Sequence, residues 1–223
     1  MSRIAAVQDR LVSAGKTKAS GRRKVRVLLE GGESFVLPAG RAAGLGLREG
    51  EELPEVLHRE ILAEVRGSCM RKCGSLLECR DYSVRRMEEK LREAEYPESV
   101  IREAVEKLRK AGYLDDSRYA REFVRSHIRD KSRLRIRKDL LDRGIGEALI
   151  EQAFLEIGAQ EDLDEAQREQ IRRLLRRRGF DAAAATYEEK NKTMAFLYRK
   201  GFSAEIIRAA MESNMEPDLQ PDV

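Results

Sequence analysis

The stretch Gly112-Tyr113-Leu114-Asp115-Asp116-Ser117-Arg118-Tyr119-Ala120-Arg121-Glu122-Phe123-Val124 reads as the end of one helix and the start of another. Gly112 closes the periodic segment before it, because glycine takes up the left-handed conformation of a helix C-terminus without a Cβ penalty. Asp115 or Asp116 then offers an oxygen to the unsatisfied N–H groups of the next helix. Tyr119, Ala120, Phe123 and His127 follow at helical spacing and define one packed stripe. Gly112, Tyr113, Tyr119 and Phe123 are therefore expected to be structural, with the aromatic rings largely buried. Two adjacent acids could also hold a metal ion, but capping and the helix dipole account for Asp115-Asp116 without one.

Working outward, the same pattern recurs. When Glu95-Tyr96 is aligned with Gly144-Ile145 and Gly201-Phe202, Leu91, Leu140 and Leu197 coincide. So do Val100, Leu149 and Ile206, then Ile101, Ile150 and Ile207, then Ala104, Ala153 and Ala210. Each copy reads as a long helix, a short helix with a tight turn, and a third helix. Ser83, Pro97 and Ser203 stand where helix starts are expected, and Asp130–Ser132 and Gly179–Thr186 read as breaks between helices. Short connections favour antiparallel neighbours, so each copy is a small three-helix bundle. Bundles of this size bury little alone and must dock on their neighbours, which predicts an elongated, curved array.

The N-terminal segment differs. Lys24–Leu29 and Glu33–Leu37 are two β-prone runs around Gly31-Gly32 and predict a hairpin. Ile4–Leu11 offers a third strand, which a marginal hairpin needs unless it packs on the helices. Pro38–Leu53, with Gly40, Gly44, Gly46 and Gly50, is a connector with at most a short helix. The expected organisation is a mostly α protein: residues 1–53 a β-element and connector, 54–113, 114–158 and 159–215 three helical repeats, and 216–223 an acidic tail.

Charged residues make up 38 % of the 223 and aromatic residues 5 %, without tryptophan. That composition suits helices apolar on one stripe and solvated elsewhere, rather than one deep core. The net charge is only +4, but the basic residues are clustered. One stripe precedes Glu30 (Arg3, Arg10, Lys16, Lys18, Arg22, Arg23, Lys24, Arg26), and another is Arg172, Arg173, Arg176, Arg177 and Arg178. Between them Arg121, Arg125 and Arg129 recur at every fourth position, and Lys131, Arg133, Arg137 and Lys138 continue the run. Read as function, these are candidate contacts to a polyanion; read as structure, they are solvated faces laced with ion pairs. The first three are expected to be largely exposed. The third helix of the second repeat carries Glu147, Glu151 and Glu156, which argues against its entering a DNA groove.

No catalytic constellation emerges. There are two histidines, His58 and His127, and no phosphate-binding loop. Cys69, Cys73 and Cys79 lack zinc-site spacing and read as small apolar residues. No cofactor, metal or enzymatic activity is expected. The Met1 end lacks an apolar signal segment and no run is long enough to span a bilayer, so a cytoplasmic protein without a membrane partner is expected.

The G-Y-L-D-D-x-R-Y-A-x-x-F block of 112–123, followed by an R-I-x-x-x-L-x-x-x-G-I block (Arg135, Ile136, Leu140, Gly144, Ile145), resembles the RecX family of recombination regulators. Leu76-Leu77-Glu78-Cys79-Arg80-Asp81-Tyr82-Ser83 looks like that family's L-L-x-x-R-x-x-S block. The resemblance runs from roughly Pro54 to Met211. It departs from the family pattern at Ser132 and Glu95, where glycine is common, and at Leu134, where arginine is. What it implies is a monomeric, non-catalytic regulator in DNA repair, recombination and the SOS response. Such a protein binds the RecA recombinase filament on single-stranded DNA, touches single- and double-stranded DNA, and limits recombinase, ATPase and co-protease activity. The alternative from another class is a direct nucleic-acid-binding regulator that uses the basic stripes without RecA.

Overall fold

The structure is a computed structural model that describes residues 2–10, 23–160 and 162–213. The acidic tail and three residues of the first basic stripe (Lys16, Lys18, Arg22) lie outside the described residues. The chain divides into two units between Asp115 and Asp116.

The first unit joins a sheet to three helices. Strands β1 (Ser2–Arg10), β2 (Lys24–Leu29), β3 (Ser34–Pro38) and β4 (Glu52–Leu53) form an antiparallel sheet in the order β3-β2-β1-β4. The hairpin gains the third strand read at Ile4 and a short fourth that the sequence did not announce. Alternation decides the facing: Val25, Val27 and Leu29 are buried while the residues between them are not. A short helix α1 (Ala39–Gly44) lies in the glycine-rich connector. Helices α2 (Glu55–Leu77), α3 (Val84–Glu93) and α4 (Glu98–Lys110) complete the unit. Phe35 and Leu53 of the sheet share one core with Ile61, Cys69 and Cys73 of α2, Met87 and Leu91 of α3 and Ile101 of α4. The sheet is thus part of the first helical bundle's core. Cys69 and Cys73 are fully buried, and the hydrogen bond with Cys73 together with burial pushes the Cys69 thiol up in pKa.

The second unit holds two more bundles: α5 (Asp116–His127), α6 (Arg133–Leu141) and α7 (Glu147–Gly158), then α8 (Leu163–Arg177), α9 (Tyr187–Arg199) and α10 (Ala204–Ser213). Local signals fix most helix starts. Ser83, Ser132 and Ser203 accept from the backbone N–H three residues on, and Asp162 caps α8. Thr186 and Glu189 form a reciprocal capping box on α9. Because α5 begins at Asp116, Asp115 holds its N-cap position.

The internal repeat is physical. Glu95, Gly144 and Gly201 all have positive φ (63°, 82° and 87°). The next N–H in each copy returns to the carbonyl five residues back: Tyr96 to Leu91, Ile145 to Leu140, Phe202 to Leu197. Those three leucines are fully buried, as are the aligned Ile101, Ile150 and Ile207. Gly112 makes the same turn with φ +74°, and Tyr113 N–H returns to the Leu108 carbonyl. Tyr113 nevertheless corrects the sequence reading: it is 62 % exposed, while Leu114 is 2 % exposed and closes the core against Leu108. The reversal at Gly112 spends the Tyr113 N–H on the helix end and delivers the following side chain to the interior.

Ala120 and Phe123 are buried and Tyr119 half-buried, as a packed stripe requires. Ile136, Leu140 and Ile145 complete the core of the second bundle. The second and third bundles are joined by polar contacts. The Ser132 hydroxyl donates to the Lys200 carbonyl at 2.6 Å, and Gln167 bridges the Lys131 carbonyl and the Arg133 N–H, both at 3.2 Å. A Cβ on Gly201 would meet Ser132 Oγ at 2.7 Å and Leu134 Cβ at 3.1 Å, so this turn can approach only as glycine.

Two outcomes follow for stability. Gly112→Ala meets no neighbour and should cost about 1–3 kcal/mol through backbone strain alone. Gly201→Ala should cost more than Gly112→Ala, because it adds a clash; paired denaturant melts check the order. Phe123→Ala should cost about 3–5 kcal/mol and Tyr113→Ala under about 1 kcal/mol, read by the same melts.

Candidate functional site

The basic residues read from the sequence gather in the second bundle, but most are matched by acids. Arg121, half-buried rather than largely exposed, pairs with Glu156 of α7 at 3.0 Å. The sequence reading of Arg121 is corrected here: α7 packs against α5, and its acidic face covers that arginine. Arg125 is exposed and pairs with Glu122 at 2.7 Å, and with the Gln160 amide oxygen. Arg129 is exposed, in a shallow depression it shares with Glu165, Glu169 and Arg173 of α8. Arg133 pairs with Asp164 at 3.2 Å, and Arg137 with both Glu147 and Glu151 of α7. The acids that argued against groove entry by α7 are the counter-charges of α5 and α6.

The third stripe behaves alike. Arg172 pairs with Glu165 and Glu169, Arg176 with Glu169, and Arg173 reaches Asp130 and the Arg129 carbonyl. Arg178 lies over the Phe196 ring, 4.3 Å from its centroid.

Around Asp139 the balance changes. This carboxylate is 7 % exposed, with Lys131 Nζ at 2.8 Å and Arg135 Nε at 3.1 Å. Arg143 donates to the Asp139 backbone carbonyl at 2.5 Å. Burial by itself raises the Asp139 pKa; Lys131, Arg135 and Arg143 more than offset it and hold the carboxyl below its ordinary value. Lys138 is exposed one residue before it and forms no ion pair with a described residue. Arg143 was not singled out from sequence, and Arg135 only as part of the family block; Arg135 lies one turn before Asp139 on α6, whereas Arg143 follows the end of that helix and reaches back to it.

Beside this cluster runs a ladder of rings. Tyr119 and Phe123 stack with centroids 6.2 Å apart, and Phe123 and His127 with centroids 4.0 Å apart. Lys131 Nζ and Arg143 Cζ lie 5.2 and 4.6 Å from the Phe123 centroid. His127 Nδ1 faces the Phe123 carbonyl and the Ser126 hydroxyl, both at 2.9 Å.

A second feature was missed by sequence reasoning. A cleft of about 550 Å³ opens between the second and third bundles, lined by Leu134, Phe154, Leu155, Phe202 and Ile206, with Arg133 and Arg137 among its walls. Leu134 is 61 % and Leu155 74 % exposed. The aligned positions are Arg85 and Glu106 in the first bundle and Asn191 and Glu212 in the third. Leu134 stood out in the sequence as a departure from the family pattern, whereas Leu155 could be flagged only by the repeat alignment, as an apolar residue where the other copies are polar.

Among the described residues no group of three or more His, Cys, Asp or Glu side chains could hold a metal ion, and no helix is long and apolar enough to cross a membrane.

The Asp139 cluster generates a pH signature. A carboxyl held below its unfolded pKa stabilises the fold above that unfolded value, and the contribution is lost as pH falls through the native pKa. Asp139→Asn should therefore lower the melting temperature at neutral pH. The gap to the parent should close as the solution is acidified below the native carboxyl's pKa, which melts across a pH series will read.

Models of the first, second and third three-helix domains of RecX match residues 69–108, 115–153 and 164–211. The regulatory protein RecX of Trichlorobacter lovleyi is 35 % identical over 141 residues, covering 61 % of this chain and 89 % of its own. RecX of Clostridium beijerinckii is 24 % identical over 199 residues, covering 88 % and 92 %. In fold, the chain is similar to a crystal structure of regulatory protein RecX, with TM-score 0.60, 23 % identity, and 95 % and 100 % coverage. RecX from Lactobacillus salivarius aligns with TM-score 0.57 at 24 % identity over 68 % of this chain and 97 % of its own. With all three domains matched in order and a relative above 30 % identity covered over most of its length, the chain belongs to the RecX family of regulatory proteins.

Proposed function

We propose that this chain is a non-catalytic, cytoplasmic regulator that binds a RecA-type recombinase filament on single-stranded DNA. In doing so it limits strand exchange, ATP hydrolysis and co-protease activity. Membership of a family of regulatory proteins supports the reading, and the cleft between the second and third bundles carries it. Large aliphatic side chains left in water at one repeat, where the other two repeats are polar, suit a protein partner's apolar side chains. The surrounding arginines are engaged with carboxylates of their own chain, so they set the polar rim of such a contact rather than a bare polyanion site. The basic face at Arg121, Arg125 and Arg129 then contributes chiefly through Arg125 and Arg129, its exposed members. A monomer acts through linked domains, so that once one has docked the next engages at high effective concentration.

The test is Leu134→Gln combined with Leu155→Gln. Both side chains are exposed, so the melting temperature should stay near the parent's. Inhibition of RecA-driven ATP hydrolysis should weaken roughly tenfold or more, the scale of a lost interface anchor. A folded double variant that inhibits as well as the parent would remove the cleft from the mechanism. Loss of all RecA association after nuclease treatment would replace this reading with direct nucleic-acid binding.

A further inference from the structure

The repeat frame shows which helix face one bundle offers to the next. In the second bundle Leu134, at the start of α6, stands against the Gly201 turn of the third bundle. Arg137, one turn on, lines the cleft between the two, and Leu141 continues the same stripe. The aligned stripe of α9 is Asn191, Met194 and Tyr198, and Tyr187 extends it by one turn toward the helix start. The first bundle carries Asp81, Arg85, Glu88 and Arg92 at these positions. On α9 the stripe is open to solvent at both ends: Tyr187 is 80 % and Tyr198 47 % exposed, with Met194 half-buried between them. Stacked repeats need a polar outer face on a terminal copy to stay apart in solution. The first bundle meets that rule with charged residues, and the third breaks it with two tyrosines.

The rim of the stripe is basic. Lys190 directly precedes Asn191, Arg199 directly follows Tyr198, and Lys200 ends the helix over the Phe196 ring. Among the described residues no carboxylate pairs with any of the three. The two acids of α9 are engaged, Glu188 by Lys192 and Glu189 by the Thr186 cap. An apolar stripe inside a cationic rim fits a protein surface whose apolar side chains lie inside a rim of carboxylates. Tyrosine and arginine are enriched among the residues that anchor such contacts. We propose that Tyr187, Met194 and Tyr198 of α9 form a second docking face for the protein of the recombinase filament, one repeat away from the cleft. The partner's identity rests on the proposed function; the face itself is additional to it. A second copy of this chain does not fit as the occupant. By the pattern of Leu134 and Gly201, a copy would offer the turn of its first bundle. That turn is fastened to its own unit, Glu95 to Arg26 of the sheet and Tyr96 to Ser68 at 3.1 Å. Two faces on linked bundles let one hold the filament while the other releases and rebinds.

The experiment is biolayer interferometry of the full chain on RecA filaments assembled with ATPγS on immobilised oligo(dT), with bare oligo(dT) as the control surface. Tyr187→Gln with Tyr198→Gln should weaken filament binding at least about tenfold, the scale of lost interface anchors. The melting temperature should stay near the parent's, because both rings are exposed. Tyr187→Phe with Tyr198→Phe should bind near the parent, since the contact uses ring area. Lys190→Gln with Arg199→Gln should weaken binding less and flatten its salt dependence. The proposal is overturned if the folded tyrosine-to-glutamine variant binds the filament like the parent. It is overturned if the loss is equal on bare oligo(dT), which would make the face a nucleic-acid contact. Sedimentation that shows the parent self-associating through these tyrosines would make a second copy the occupant and overturn it as well. A parent that does not bind the filament removes both the proposed function and this face. A parent that binds and inhibits, with an affinity independent of the tyrosines, removes this face alone.

Discussion

Each bundle depends on one backbone constraint: the chain must reverse at the end of a helix within a single left-handed residue. At Glu95, Gly144 and Gly201 the positive φ lets the next N–H return to a leucine carbonyl five residues back. That bond satisfies the helix end and sets the angle at which the third helix packs. The buried leucine and isoleucine of each copy are placed by this turn. Glu95 meets the requirement without glycine, at the strain of a β-carbon in that conformation, and its carboxylate is tied to Arg26 on the sheet. The one departure from glycine among the three turns is thus the one fastened to the N-terminal sheet. At Gly201 the turn also serves docking, since Ser132 and Leu134 of the preceding bundle stand where a Cβ would lie.

Charge is organised on the same repeating frame. A chain with more than a third of its residues charged and a net charge near zero can expose alternating fields or consume its charges internally. This one does the latter over most of its second unit. The acids of α7 meet the arginines of α5 and α6, Asp164 of α8 meets Arg133 of α6, and Glu165 and Glu169 of α8 meet arginines on α8 itself. Exposed pairs of this kind contribute little stability each. Their consequence is electrostatic: they match with acids much of the basic run that the linear sequence shows between Arg121 and Arg137. A buried carboxylate shared by several cations is a different object from a surface pair, because removing it would leave the cations crowded and uncompensated.

The three copies are alike in their cores and unlike on their surfaces. Leu134 and Leu155 stand where the flanking copies carry charged or polar residues, and the carboxylate of Asp139 stands where they carry Lys90 and Phe196. Interior positions are held alike by packing, which tolerates few changes of volume. The surface of the middle copy has been free to acquire an apolar cleft on one side and a ladder of rings on another.

The sequence by itself determined the repeated helical plan, the hairpin, the caps at Ser83 and Ser203, and the stripe through Ala120 and Phe123. These are legible because they rest on local periodicity, capping chemistry and glycine's backbone freedom, all of which act within a few residues. Only the tertiary structure decided that Leu114 and not Tyr113 enters the core, that Arg121 is covered by Glu156, that the sheet shares a core with α2, and that Arg135 and Arg143 converge on Asp139. Each of these depends on which element packs against which. A linear count of charges or rings records how many are present along the chain, but not which partner lies across the packed helices to neutralise or bury them.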